Sequence, residues 1–178
     1  MRNSTYSPLK AEIEAVVGAL VGKNLWKWNR AADMAIFHFG ERRPTRDFYG
    51  KPVEVGEHAL HIQCAWRIAE QERVIVGSAD LYYPPELAAK DAIAHVEGDW
   101  DKGNRRDELL KILFENGTRS FAVHSVEVGL AASLHIFLSD GLCLDVIPDD
   151  SLPHEHWRLL RPDSGESDFV VSGQGVER

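Results

Sequence analysis

The sequence predicts an α+β fold: a curved, mainly antiparallel sheet of about seven or eight strands, packed by two principal helices at about 8–22 and 104–116. Three observations predict it. Leu60, Ile62, Cys64, Trp66 and Ile68 are apolar at every second position, with His61, Gln63, Ala65 and Arg67 between them, which is a strand with one dry and one mostly polar face. Two stretches carry apolar residues at helical spacing instead. Leu134, Ile136 and Leu138, then Leu142, Leu144 and Val146, alternate on either side of the turn Ser139-Asp140-Gly141.

The totals bound the rest. The length of 178 residues suits one domain, 1–178, with 1–6 and 173–178 expected as frayed tails. At 44% hydrophobic and 27% charged the composition is that of a soluble globular protein. A net charge of -8 argues against nucleic acid and against anionic membranes, since both need a basic surface. The run Arg42, Arg43, Arg46 reads as a solvated loop. Cys64 and Cys143 lie in strand-like stretches and read as buried thiols, not as a disulfide scaffold. The N-terminus lacks the apolar core of a signal peptide, and the longest apolar run, 15–22, is too short to span a bilayer. The expected location is the cytoplasm.

Element by element, Ser7-Pro8 is a helix start, with Leu9, Ile13, Val16, Val17 and Leu20 on one face. Leu25–Arg30 and Met34–Gly40 form a hairpin, with Trp26 and Trp28 sharing one face and Phe37 and Phe39 one face of the next strand. Residues 41–57 are polar and rich in Arg, Pro and Gly, and read as a long connection whose Asp47, Phe48 and Tyr49 help form a rim. Residues 69–72 are a turn into a second strand, 74–76. Ala79–Pro85 is irregular extended chain because proline cannot donate and restrains the residue before it. A short helix is expected at 86–94. The loop at 97–104 carries Glu97, Asp99 and Asp101 but has its glycines at the wrong offsets for a calcium loop. Asn104 caps the second helix, which turns Leu109, Ile112, Leu113 and Phe114 inward.

In the C-terminal half, apolar parity switches near His124-Ser125, which predicts a bulge. Loop length sets the register of the next hairpin. A three-residue loop with Gly141 left-handed pairs Leu138 with Leu142, Ile136 with Leu144 and Leu134 with Val146, keeping one face apolar. It also places His135 opposite Asp145, beside Phe137 and Cys143. Residues 148–153 break the strand, Trp157 anchors the stretch 154–161, and 169–172 is a last edge strand.

The blocks LHIQCAWRI, VIVGSADLYYP, DD-SLPHEHWRLLRP and FVVSGQGVE, in that order, resemble those of a group of uncharacterised bacterial proteins over residues 58–83 and 118–178. Members of that group often have proline where this chain has Ala65. The resemblance implies a bacterial origin and one continuous domain, and it carries over no activity and no catalytic residue.

No catalytic motif is found: HExxH, zinc spacing of His and Cys, GxSxG, the phosphate loop and GxGxxG are all absent, and no cofactor is expected. His135 and Asp145 read as a cross-strand polar pair rather than part of a triad. His154 and His156 share a face only if they lie on a strand, and they are the weak candidates for a metal; none is expected. The wet face of the opening strand, His61, Gln63 and Arg67, completed by Asp80 and Tyr82, is the expected binding surface. The leading expectation is a non-catalytic binding or protein-interaction domain, of the immunity type among others. Its expected partner is another protein with a basic surface, or a second copy in a homodimer, with no nucleic acid and no membrane. The alternative is a small hydrolase or metal-dependent enzyme using dispersed His and Asp. A cleft gathering three or more of His61, Asp80, His135, Asp145, His154 and His156 would favour that alternative.

Overall fold

A computed structural model describes residues 8–85 and 103–177. The chain forms helix α1 (Pro8–Val17) and strands β1 (Asn24–Ala31), β2 (Met34–Arg46), β3 (Pro52–Ile62), β4 (Ala65–Glu70) and β5 (Arg73–Gly77). Helix α2 (Arg105–Leu113) and strands β6 (Phe121–Val128), β7 (Leu134–Leu138), β8 (Leu142–Ile147), β9 (Glu155–Leu160), β10 (Phe169–Ser172) and β11 (Gly175–Val176) follow. The strands make one 11-stranded sheet in the order β11-β10-β9-β3-β2-β1-β6-β7-β8-β4-β5, paired antiparallel. The fold is α+β as expected, with more strands than the seven or eight read from periodicity.

Three features make up the difference. The alternating stretch 60–68 is not one strand, because Gln63 N–H and Cys64 N–H both donate to the His156 carbonyl and the ladder breaks there. Residues 155–160 are a strand. Gly175–Val176 pair with β10, and Glu177 N–H donates to the Val170 carbonyl, so the segment expected to fray from 173 is hydrogen-bonded. The two halves of the broken stretch keep their parity: Leu60, Ile62, Cys64, Trp66 and Ile68 are all buried. β3 nevertheless lies between β9 and β2, while β4 lies between β8 and β5. One nearly continuous piece of chain thus supplies both the fourth and the tenth strand, so the sheet coils around its apolar face without closing.

The core fills that coil. Phe37 meets Trp66 edge-on at 5.2 Å, and Phe114 meets Phe121 edge-on at 5.4 Å. Ile13, Val17 and Leu20 enter from α1 and the turn after it. α2 is capped by Asn104, whose side chain accepts from Asp107 N–H at 2.9 Å. It turns Arg106, Leu110 and Leu113 inward and leaves Ile112 exposed, a correction to the face read from apolar spacing. A buried arginine explains it: Arg106 Nη1 donates to the Asp33 carbonyl at 2.8 Å, an inward role that counting hydrophobes assigns to no charged residue.

Two register outcomes follow the same logic. The bulge expected near His124 sits there, between Val123 and Ser125. A bulge between Leu25 and Lys27 was not foreseen, and it separates the two tryptophans. Trp28 packs against the core, whereas Trp26 lies beside His38, 6.2 Å between ring centroids, under the Arg42 guanidinium at 4.5 Å. The β7–β8 hairpin has the three-residue loop, with Asp140 and Gly141 at positive φ, and pairs Ile136 with Leu144 and His135 with Asp145. The expected helix at 86–94 and most of the 97–104 loop lie outside the described residues. Among the described residues no helix is long and apolar enough to cross a membrane.

Candidate functional site

The stretch expected as a long connection, 41–57, is largely strand. β1 pairs with β2 no further than Phe39, and β9 reaches β3 only from Ala59. Beyond those points β2 and β3 pair only with each other, from Arg42↔Gly56 to Arg46↔Pro52. This two-stranded arm reaches about 15 Å past the sheet at the usual rise per residue.

Its foot is bent and clamped. A bulge lies between Phe39 and Arg42, where Gly40 takes φ +79°. A Cβ on Gly56 would sit 2.7 Å from the Phe39 backbone, so only glycine fits opposite that bulge. Lys23 Nζ pairs with Glu57 Oε2 at 2.7 Å, Lys27 Nζ donates to the Glu54 carbonyl, and Arg42 lies over Trp26.

The tip is a hydrogen-bonded turn. Asp47 Oδ1 accepts from Tyr49 N–H at 3.0 Å and from Lys51 N–H at 2.8 Å. Gly50 N–H donates to the Asp47 carbonyl, and Arg46 Nη1 donates to the Gly50 carbonyl at 2.7 Å. On this turn Phe48 is 97% and Tyr49 90% exposed, their rings edge-on at 5.5 Å. The arm's cations, Arg42, Arg43, Arg46 and Lys51, outnumber its acids, Asp47 and Glu54, so the chain's net charge of -8 resides elsewhere. The signals for the arm were Val53 and Val55 alternating with Glu54, and the turn-forming Asp47 and Gly50.

The residues of the expected binding surface lie on β3, at the β3–β4 break, on β4 and on the 78–82 turn. His61 sits in β3 opposite Ile36 and Arg158, while Arg67 sits in β4 opposite Asp145. Asp80 is structural: Oδ2 accepts from Gly77 N–H and Oδ1 from Arg105 Nε, both at 2.9 Å. Gln63 and Tyr82 line a hollow of about 300 Å³ between β4 and the 78–82 turn.

His135 and Asp145 do meet. His135 Nδ1–H donates to Asp145 Oδ1 at 2.8 Å, Arg67 Nε donates to Oδ2 at 2.8 Å, and the Cys143 thiol donates to Oδ1 at 3.3 Å. Burial alone would raise the Asp145 carboxyl, but the hydrogen bonds from Arg67, His135 and Cys143 outweigh it and hold the group below the ordinary carboxylate range. Cys143 goes the other way, pushed up to about 12 by burial and by Asp145, which leaves about a thousandfold less thiolate than a free cysteine and makes it a poor nucleophile. Burial, with Asp149, pushes Cys64 up to about 12 as well. Iodoacetamide at pH 8 should therefore spare both thiols in the folded protein and label both in denaturant. Labelling of folded Cys143 at the rate of a free peptide thiol would contradict this account.

His154 lies in the bend just before β9 and His156 is the second residue of that strand, so strand geometry does not by itself put them on one face. Both turn toward Asp150: His154 Nε2 is 2.9 Å from Oδ2, and His156 Nε2 is 3.2 Å from Oδ1. Asp150 was not singled out from the sequence, although it stands four residues before His154. Of the six residues whose gathering would favour an enzyme, His135 and Asp145 share one cluster and His154 and His156 another.

Comparison with known proteins adds no identity: no protein-family model, no curated protein and no solved structure matches the chain.

Proposed function

We propose that the chain is a non-catalytic protein-interaction domain that engages its partner through the β2–β3 arm. The observation that carries this reading is the tip: two almost fully exposed aromatic side chains on a turn fixed by its own hydrogen bonds. Exposed Phe and Tyr contribute nothing to this fold's core. On a rigid turn they bury large area in a partner at little entropic cost, which is why aromatic residues dominate binding hot spots. The tip would enter an apolar pocket, and the acidic remainder of the surface favours a partner protein with basic ground around that pocket. An immunity-type protein is one class within this reading. Bacterial origin and a cytoplasmic location belong to the same reading. Among the described residues no cavity brings together three of the six His and Asp residues named for the hydrolase alternative.

The test is the double variant Phe48→Ala, Tyr49→Ala. It should keep folding stability within about 0.5 kcal/mol, because both side chains are exposed. It should weaken association with proteins recovered from the source cell by at least about tenfold. Unchanged recovery of the same proteins would remove the arm as the interface. Sedimentation of both forms separates a homodimer from a foreign partner: a dimer lost in the variant would make the partner a second copy.

A further inference from the structure

The carboxylate and two imidazoles at the start of β9 fit a cation. Their donor atoms all lie within 4.8 Å of one another. We infer that Asp150, His154 and His156 form a binding site for a divalent transition cation of the zinc class, with its remaining coordination position turned to the cavity beside α1.

The donor set comes first. Imidazole nitrogen and carboxylate oxygen suit zinc, and three protein ligands with one open position is the arrangement of catalytic zinc sites, so zinc bound here would favour the metal-dependent alternative over the non-catalytic reading. The spacing fits as well. A tetrahedral zinc with bonds of about 2.0–2.1 Å holds neighbouring ligand atoms about 3.3 Å apart. The two Nε2–carboxylate separations here, 2.9 and 3.2 Å, are close to that spacing, and the three donors lie within 4.8 Å of one another. Both rings present Nε2 to the same carboxylate, one to each oxygen, and their centroids are 5.6 Å apart.

The contrast with the other candidate cluster sharpens the choice. At His135, Cys143 and Asp145 the Arg67 guanidinium already holds the carboxylate. At Asp150 the ion pairs among the described residues are with the two imidazoles, which a metal replaces by taking the place of their Nε2 protons. Asp149 adds a second negative charge next door.

A cavity supplies the independent observation. About 400 Å³ opens between α1, the 128–132 turn and the 172–175 turn, and both Asp150 and His156 line it. His156 is 1% exposed, and its Nδ1 is buried without a hydrogen-bond partner. With a cation on Nε2 the ring proton would sit on Nδ1, so that nitrogen still needs an acceptor and the case for the site rests on the three converging donors. The loop that carries Asp150 is also held in place. Leu152 N–H donates to Asp150 Oδ1 at 2.9 Å, and a Cβ on Gly173 would come within 2.9 Å of the Leu152 nitrogen. The β3–β9 register pairs Ile62 with Trp157, so the site lies at the far end of β3 from the arm.

The experiment is zinc titration of the full chain after chelator treatment, followed by calorimetry and by the visible spectrum of the cobalt(II) form. One cation per chain is expected, with tetrahedral cobalt bands. Asp150→Asn and His154→Ala, both at exposed positions where folding should survive, should each weaken zinc binding by at least about a hundredfold and abolish the cobalt bands. His135→Ala should bind like the parent. Zinc binding no tighter than about 100 μM in the parent, or equal affinity in Asp150→Asn and His154→Ala, would overturn the assignment.

Discussion

Taking the protein from pH 6.5 to pH 4 is expected to remove on the order of 3 kcal/mol of folding stability through His38 alone. His38 is 4% exposed. Its Nδ1 accepts from Gly56 N–H at 3.1 Å, so the ring proton resides on Nε2, which donates to Asn29 Oδ1 at 2.8 Å. Each nitrogen is satisfied only in that neutral tautomer. Burial, with Lys27 and His61 adding like charge, pushes the group down to about 4. The sign follows. Above pH 6.5 the ring is neutral folded and unfolded, and pH has no leverage. Between 6.5 and 4 the unfolded chain takes up a proton that the folded one refuses, so stability falls as pH falls. Below about 4 both forms are protonated and the effect levels off. His58 and His61 are also lowered, chiefly by burial, and act with the same sign. The lowered carboxylates, Glu57, Asp145 and Asp150, lose their contribution from the ordinary carboxylate range downward, so they leave the upper part of this window to the histidines. Urea midpoints measured from pH 7.5 to 4 should show the fall. His38→Gln should start less stable and show a flatter profile. An equal slope in parent and variant would rule out His38 as the source.

The second large effect is expected at Trp157. Its side chain is fully buried, tilted against Phe169 at 6.1 Å, with the indole N–H donating to the Ala132 carbonyl at 2.9 Å. β9 lies between β10 and β3, so this one side chain fastens the β9–β10–β11 flap to the turn after β6. Trp157→Ala should cost about 3–5 kcal/mol from lost burial and the cavity left behind. Trp157→Phe should cost about 1–3 kcal/mol, because the ring area is mostly kept while the Ala132 carbonyl loses its donor. Denaturant unfolding at unchanged slope is the measurement. A loss below 1 kcal/mol in the alanine variant would mean that the flap is held elsewhere. His156 is the next residue, so the alanine variant should also loosen the wall of the α1 cavity.

Local pattern carried much of this structure. Period-two alternation placed the dry face of 60–68, and period 3.6 placed the inner face of α1. Turn chemistry at Ser139-Asp140-Gly141 set a register that brought His135 onto Asp145, and the parity switch at His124 located a bulge. These features depend on neighbours within a few residues, and the sequence displays them directly.

Other features depend on what lies across the sheet. The break at Gln63 exists because two successive amides share the His156 carbonyl, nearly a hundred residues away, and that break puts His61 and Arg67 on different strands. Trp26 left the face of Trp28 because a bulge in β1 answers the pairing of β2. The inward turn of Arg106 depends on the Asp33 carbonyl, and the convergence of Asp150 with two histidines depends on Gly173 leaving room for the loop. The arm at 42–56 projects because its neighbours β1 and β9 stop short of it. The sequence by itself determined the dry faces of 60–68 and of α1 and the turn at Ser139-Asp140-Gly141. Only the tertiary structure decided which polar groups meet, because a polar group's partner is set by long-range hydrogen bonding and not by periodicity.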